Sequence, residues 1–190
     1  MSGTRVRVAV VGVGHLGRIH ARIYAQNPRA ELVGVVDADV ERAREVGEEC
    51  GVPAFTSVEE LGHDFEAASI AVPTVAHEAA SVPLLERGIA CLIEKPIAPH
   101  VEEADRILAA AERGGAMVAV GHVERFQPGI RRLRELGLDP RYIECHRLTE
   151  FSFRSLDVGV VHDLMIHDLD LVLHMVGSDV ESLDAAGEGS

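Results

Sequence analysis

The stretch Val8-Ala-Val-Val-Gly12-Val-Gly14-His-Leu-Gly17 reads as an apolar strand, a glycine-rich turn and the start of a helix. Gly12 allows a tight turn, and Gly14 lets the backbone approach a pyrophosphate. Gly17 lets the helix pack close to the strand, and the N-terminus of that helix presents unpaired N–H groups to the phosphates. This order of elements indicates a turn built to bind a dinucleotide.

An acid at the end of the next strand supports this interpretation. The predicted second strand, residues 31–36, ends just before Asp37, which follows Gly17 by about twenty residues, the spacing of an acid that binds a ribose hydroxyl. A turn that only connects strand to helix is the alternative, and it does not account for the acid. We therefore predict cofactor contacts from the motif, with His15 and Leu16 included, and from Asp37. NAD is the expected cofactor and NADP the alternative, because a 2′-phosphate would lie against the charge of Asp37.

Length and charge exclude several classes of protein. With 190 residues the chain can hold one ample domain, or one domain and part of another. Its 18 basic and 31 acidic residues give a net charge of −13, which argues against a surface for nucleic acid or an anionic membrane. The basic run Arg131-Arg132-Leu-Arg134 is interpreted as a solvated helix face.

The cysteines and the apolar runs indicate the compartment. Cys50, Cys91 and Cys145 form no CxxC pair, so neither a disulfide framework nor a cysteine metal site is indicated. The first apolar run is short and carries the glycine motif, so it is interpreted as a strand and not as a signal peptide. No apolar stretch is long enough to cross a membrane, and we expect a cytoplasmic protein.

Strand-like and helix-like segments alternate as far as Gly121, which predicts an α/β fold with a Rossmann-type doubly wound parallel sheet over residues 1–121. The predicted strands are residues 6–11, 31–36, 53–55, 67–72, 90–93 and 117–120. The predicted helices are residues 15–26, 39–50, 57–61, 75–87 and 100–113. Asp39 and Ser57 are the expected N-caps of the second and third helices.

The pattern changes after Gly121. We predict a helix at residues 128–136, a strand at 141–153, a helix at 160–176 and the beginning of a strand at 180–186. So few strands would leave a sheet edge and an apolar face unprotected. Residues 122–190 are therefore expected to be an incomplete α+β domain.

The segment Ile93-Glu94-Lys95-Pro96 follows the fifth predicted strand. Ligands of open parallel sheets bind outside the carboxyl ends of the strands, so a lysine at this point faces the cofactor crevice. An ordinary surface Lys-Pro turn is the alternative.

A row of polar side chains lies on the helix predicted at residues 160–176. Asp163, His167, Asp170 and His174 fall within about 60° of one helical face. Three interpretations remain open: an acid/base and substrate-positioning row, a metal site, and a solvated strip on a half-exposed helix.

Five motifs in order resemble those of the Gfo/Idh/MocA oxidoreductases, the family of glucose–fructose oxidoreductase and inositol dehydrogenase. They are Gly12-x-Gly14-x-x-Gly17, Val72-Pro73-Thr74-Val75-Ala76-His77, Glu94-Lys95-Pro96, Gly121-His122-x-x-Arg125-Phe126-x-Pro128 and Asp163-x-x-x-His167-x-x-Asp170. The resemblance covers nearly the whole chain. It implies an N-terminal Rossmann domain and a C-terminal domain on a large open β-sheet, of which residues 122–190 would be the part that begins the region for substrate binding and oligomerisation. It also implies oxidation or reduction of sugars, sugar nucleotides or cyclitols with NAD or NADP.

The resemblance also implies roles for particular residues. Lys95, Asp163 and His167 would surround the reacting carbinol. His167 would exchange the hydroxyl proton, Lys95 would polarise the same oxygen, and Asp163 would orient substrate and histidine. The cofactor-side residues that it implies are Pro73, Thr74, His77, Glu94 and Lys95. No metal is expected at this site.

The chain also departs from the family pattern. Most of the C-terminal sheet is missing, and Val158-Gly159 replaces a frequent Gly-Gly pair. The expected partner is a sugar or sugar nucleotide, with a homo-oligomer if the sheet is complete, and residues 151–168 are similar to those of members suspected of acting on UDP-N-acetylhexosamines. The alternatives are a non-catalytic NAD(H)-binding fragment or sensor, and a metal-dependent hydrolase, which leaves the glycine motif unexplained.

Overall fold

A six-stranded parallel sheet forms the centre of the first structural unit. The computed structural model describes residues 4–148 and 159–187, and the chain divides into the units Met1–Gly121 and His122–Ser190. The strands are β1 (Val6–Val11), β2 (Ala30–Val36), β3 (Ala54–Phe55), β4 (Ala67–Ile70), β5 (Ala90–Ile93) and β6 (Val118–Val120). Their order is β3-β2-β1-β4-β5-β6, so the winding reverses between β1 and β4, which is where such sheets open a ligand crevice.

Helices cover both faces of this sheet. The four helices of the first unit are α1 (His15–Gln26), α2 (Val40–Cys50), α3 (His77–Leu85) and α4 (Val101–Gly114). Alternate side chains of β1 enter two separate cores. Val10 packs in a cluster with Ala21 and Val46 from α1 and α2, whereas Val11 belongs to a cluster with Leu84 from α3 and Ile107 from α4. This two-sided burial explains why the strands are mostly apolar.

Two glycines allow close backbone approaches at the turn between β1 and α1. Gly12 has φ +82°, and a Cβ there would lie 2.5 Å from the backbone nitrogen of Val72. A Cβ at Gly17 would lie 1.7 Å from the carbonyl oxygen of Gly12. The glycine motif is therefore required by the packing of the turn as well as by any ligand.

Most predicted elements of this unit are confirmed, with differences at short segments. β1, β5 and α1 have the predicted bounds, and the Asp39 side chain caps α2 by accepting a hydrogen bond from the Arg42 N–H at 3.1 Å. The prediction of Ser57 as an N-cap is wrong, because only a 3₁₀ turn forms there (Glu59–Leu61) and Val58 precedes it. The helix predicted at 75–87 is a 3₁₀ turn, Thr74–Ala76, followed by α3.

The second unit is helical in its described part. It contains a 3₁₀ turn (Val123–Phe126), α5 (Pro128–Glu135), a π-helical turn (Val161–Met165) and α6 (Ile166–Val176). The predicted strands at 141–153 and 180–186 are wrong for residues 141–148 and 180–186, which form no strand. A strand needs a partner for its hydrogen bonds, and no described segment of this unit pairs with them. Residues 149–153 lie outside the described residues. No helix in the described ranges combines the length and apolar character needed to cross a membrane.

Candidate functional site

The N-terminus of α1 lies directly after the glycine turn. Gly14 is the N-cap of α1, and no described side chain caps this end of the helix. A Cβ added at Gly14 would meet no atom within 4 Å, so the space beside the turn is open. Uncapped N–H groups beside open space fit the pyrophosphate of a dinucleotide.

Asp37 is fixed beside the same turn. Its side chain is 9% exposed, and its Oδ2 accepts the Val13 N–H at 2.9 Å while Oδ1 accepts the Asp39 N–H at 2.9 Å. The guanidinium of Arg42 lies 3.2 Å from Oδ1. Val13, Gly14 and Arg42 line one surface depression. The acid is therefore oriented where the ribose of a dinucleotide bound at the turn would lie.

The predicted cofactor residues after β4 are Pro73, Thr74 and His77. Thr74 is buried, and the His77 side chain is 1% exposed. The His77 ring lies within hydrogen-bond distance of three carbonyl oxygens, those of Val72 at 3.0 Å, Pro96 at 3.0 Å and Ile97 at 3.2 Å. His77 thus joins the segment after β4 to the segment after β5, which makes it a positioning residue at this edge of the sheet.

Glu94 and Lys95 follow β5 at the same edge, as predicted from their place after the strand. The Glu94 side chain is buried, and its Oε2 accepts the Lys95 N–H at 3.2 Å. Burial raises the pKa of Glu94, but a hydrogen bond and charge from His20, together with the N–H and charge of Lys95, hold that pKa below the usual value. Glu94 therefore remains a carboxylate at neutral pH. The Lys95–Pro96 peptide bond is cis.

Asp163 and His167 belong to the second unit. Asp163 lies in the π-helical turn and His167 in the first turn of α6, and both are half-buried. The His167 Nδ1 atom is 3.9 Å from Glu124 Oε1. The prediction that Asp163, His167, Asp170 and His174 share one face assumed an uninterrupted α-helix. The π-helical turn changes the angle between Asp163 and the other three residues around the helix axis. Such turns are frequent at functional sites.

Asp170 and His174 do not share one acid/base environment, because each contacts different groups. Both carboxylate oxygens of the buried Asp170 pair with the guanidinium of Arg125, with Nε at 2.7 Å from Oδ2. Burial raises the pKa of Asp170, but Arg125, His122 and His174 together hold it below the usual value. His174 lines a groove with Leu133, and its Nε2 is buried without a hydrogen-bond partner among the described residues.

A second arginine links three segments of this unit. Arg147 makes bidentate contacts of 2.8–3.0 Å with both Glu124 and Asp168. The hydrogen bonds from Arg147 lower the pKa of Asp168. The sequence interpretation missed this cluster, because its members are distant in the chain and share no motif. Among the described residues, no group of three or more His, Cys, Asp or Glu side chains is arranged to hold a metal ion.

Comparison with known proteins agrees with this geometry. Residues 6–122 match the model of the Gfo/Idh/MocA family, described as an oxidoreductase family with an NAD-binding Rossmann fold. The chain is 44% identical over 183 residues to UDP-N-acetylglucosamine 3-dehydrogenase of Acidithiobacillus ferrooxidans, a match that covers 96% of this chain and 58% of that protein. It is 31% identical to inositol 2-dehydrogenase of Corynebacterium glutamicum, over 94% of this chain and 56% of that protein.

Solved structures give the same result. The structure of the Acidithiobacillus ferrooxidans enzyme superposes with a TM-score of 0.87 over 93% of this chain and 58% of that one. GenD2 from gentamicin A biosynthesis, in complex with NAD, superposes with a TM-score of 0.80 at 27% identity, over 93% of this chain and 55% of that one. The chain thus spans somewhat more than half the length of these relatives. Since the family model matches most of the chain, and the glycine turn, Asp37 and the Glu94-Lys95-Pro96 segment are placed as the motifs predict, the chain belongs to the Gfo/Idh/MocA family of oxidoreductases, with its NAD-binding Rossmann fold.

Proposed function

We propose that the chain is the coenzyme-binding part, with the beginning of the substrate domain, of an NAD(P)-dependent dehydrogenase that acts on CH–OH groups. Residues 1–121 bind the coenzyme in this proposal, and residues 122–190 begin the substrate domain. The observation that carries it is the fixed carboxylate of Asp37 beside the open glycine turn. The names of the relatives, a sugar-nucleotide dehydrogenase and an inositol dehydrogenase, support the reaction class.

The composition of the chain supports a chemical role for Lys95. Lys95 is the only lysine in the sequence, and the other 17 of its 18 basic residues are arginines. A role that any cation could fill is filled by arginine throughout this chain. A lysine at this position indicates a compact ammonium group, which can direct one of its three N–H donors at a single oxygen and differs in shape and proton affinity from a guanidinium.

The proposed roles follow from the chemistry of an alcohol and its ketone. A bound nicotinamide coenzyme supplies the hydride acceptor or donor. Lys95 donates a hydrogen bond to the substrate oxygen, and His167 accepts the hydroxyl proton in the oxidation direction and returns it in reduction. Asp163 orients substrate and imidazole. The dinucleotide is bound by Gly12, Gly14, the backbone of His15, Leu16 and Gly17, and Asp37. The same edge of the sheet is shaped by Pro73, Thr74, His77 and Glu94.

For the substrate we propose a UDP-N-acetylhexosamine ahead of a cyclitol. The identity to UDP-N-acetylglucosamine 3-dehydrogenase, 44% over nearly the whole chain, exceeds the 31% identity to inositol 2-dehydrogenase. The homo-oligomeric state and the cytoplasmic location stay predictions.

The test uses the full-length protein. NADH formation is followed with UDP-N-acetylglucosamine, UDP-N-acetylgalactosamine, myo-inositol and free aldoses as substrates, with wild type and Lys95→Met side by side. We expect turnover with one UDP-sugar, and we expect Lys95→Met to lower that turnover about 10²- to 10⁴-fold. Turnover with inositol alone would replace the proposed substrate. Tight NADH binding with no turnover on any member of the panel would favour the non-catalytic NAD(H) sensor.

A further inference from the structure

A line of buried and half-buried polar side chains connects α1 to the carboxyl end of β5. The His20 Nδ1 atom lies 2.7 Å from Ser69 Oγ, and His20 Nε2 lies 3.2 Å from Glu94 Oε1. Ser69 is fully buried in the central strand β4. Such groups cost free energy in an apolar core unless each has a partner, and here each of them has one.

The ionisation of Glu94 determines which atoms along this line donate hydrogen bonds and which accept them. An ionised carboxylate only accepts hydrogen bonds, so the His20 Nε2 atom carries the hydrogen that points at Glu94. When the ring carries one hydrogen, its Nδ1 accepts from the hydroxyl of Ser69. Ser69 can donate in this way, so its position is compatible with the form of His20 that donates to the carboxylate.

Glu94 is confined on its remaining sides. Its backbone N–H donates to the Ile70 carbonyl at 2.9 Å, and its Oε2 accepts the Lys95 N–H. A Cβ at Gly121 would lie 2.9 Å from Oε1 and 3.0 Å from Oε2, so the carboxylate lies against the α-carbon of that glycine. The ionisable groups that act on Glu94 are His20 from α1 and Lys95 beside it. The carboxylate thus has one position, and that position holds the main chain of Lys95.

We propose that His20 is a positioning residue for Lys95 and acts through Glu94. The inference rests on the proposed function, because it takes Lys95 as the group that meets the substrate oxygen. Without the His20 N–H, the buried carboxylate loses a charge-assisted hydrogen bond and either takes up a proton or turns toward water. The Lys95 amide then loses its acceptor. A misplacement of about 1 Å at a reacting group is sufficient to lower the rate on the order of 100-fold.

The experiment uses the full-length protein and compares His20→Met, which removes the donor, with His20→Gln, whose amide can still donate to Glu94. His63→Met is the matched control, because His63 is an exposed histidine outside the line. For each variant kcat, KM, NADH affinity and the thermal midpoint are measured. A carbon-13 NMR titration of the Glu94 carboxyl, assigned by its loss in Glu94→Gln, gives a readout that needs no turnover.

We expect His20→Met to lower kcat about 10- to 100-fold, with NADH affinity within about 3-fold of wild type. His20→Gln should recover most of that loss, and His63→Met should match wild type. The Glu94 titration midpoint should rise by about one pH unit or more in His20→Met. Unchanged kcat and an unchanged Glu94 titration in His20→Met would overturn the inference, as would an equal loss of kcat in His20→Gln with a normal thermal midpoint. Wild-type turnover in Lys95→Met would instead overturn the proposed function.

Discussion

The backbone N–H of Val13 donates a hydrogen bond of 2.9 Å to the Oδ2 atom of Asp37, which ties the acid at the end of β2 to the turn after β1. The two groups that we propose to contact the ribose and the pyrophosphate of a dinucleotide are therefore tied to each other. A carboxylate fixed in this way cannot turn away from a 2′-phosphate.

The first prediction concerns the choice of coenzyme. We expect wild type to bind NADH more tightly than NADPH, and Asp37→Ser to narrow the difference by at least about 10-fold, or about 1.4 kcal/mol, because the repulsion between the carboxylate and the 2′-phosphate is removed. Arg42→Gln should have the opposite effect, since it removes the nearby positive charge. Fluorescence titration of both reduced coenzymes measures this. NADPH binding as tight as NADH binding by wild type would show that Asp37 is not the selector.

The second prediction distinguishes the structural role of Gly17 from the ligand-binding role of Gly14 in the same motif. Gly17→Ala should lower the free energy of unfolding by about 3 kcal/mol, because its methyl group would overlap the Gly12 carbonyl oxygen. Gly14→Ala should fold as wild type, since Gly14 has an ordinary φ of −64° and open space around it, yet bind NADH more weakly. Urea unfolding and NADH titration of both variants test this. A normal NADH affinity in Gly14→Ala would mean that the phosphates do not approach this residue.

A third prediction concerns Lys95 and His167 in the full-length protein. Lys95→Met and His167→Asn should each lower kcat about 10²- to 10⁴-fold, equivalent to roughly 3–5 kcal/mol of transition-state stabilisation, with NADH affinity nearly unchanged. Lys95→Arg is the matched variant, because it keeps the charge and changes the shape. We expect it to be strongly impaired. If Lys95 were an ordinary surface residue, Lys95→Arg would turn over like wild type.

The fourth prediction concerns pH and the second unit. The pKa of Asp170 is lowered in the folded state, so its pairing with Arg125 contributes stability above the unfolded pKa of about 4 and loses it as the pH falls through the lowered folded value. Asp170→Asn should cost about 1–3 kcal/mol at neutral pH, with Arg125 left unpaired and partly exposed. Its stability should also fall less than that of wild type between about pH 5 and pH 2. Parallel pH profiles for the two proteins would contradict this.

A fifth prediction uses the thiols as probes. Burial raises the pKa of Cys91 to about 12, so its thiolate is scarce at neutral pH, whereas Cys145 is exposed. Alkylation near pH 8 should label Cys145 first and Cys91 only on unfolding of the first unit. Peptide mass spectrometry after timed labelling gives the order. Early labelling of Cys91 in the native protein would show that β5 opens locally.

The sequence predicts the first unit well because its signals are local. The bounds of α1 follow from the glycine turn before it, and the cap at Asp39 needs only the next three residues. The expected helix cap at Ser57 fails because a three-residue 3₁₀ turn offers no helix to cap. Neighbouring residues are sufficient to predict an element wherever its hydrogen bonds join residues that are close in the sequence.

The site is less accessible to sequence reasoning because its partners are distant in the chain. His20 and Ser69 are 49 residues apart, and neither belongs to the glycine motif. One signal was present, since Ser69 is a polar residue inside the apolar strand Ala67–Ile70. Residues 141–148 alternate as a strand would, but no described segment pairs with them, and alternation alone cannot supply a partner.

Each unit is stabilised internally by a different kind of interaction, so the two units should respond differently to the salt concentration of the solvent. Among the described residues beyond Gly121, Leu171 is the one buried apolar side chain, whereas Arg125 and Arg147 each form ion pairs with carboxylates. Added sodium chloride screens such pairs and leaves the aliphatic core around β1 intact. Rising ionic strength should therefore speed amide hydrogen exchange in α6 while the protection of the central strands persists, so that one polypeptide carries a salt-sensitive and a salt-resistant region.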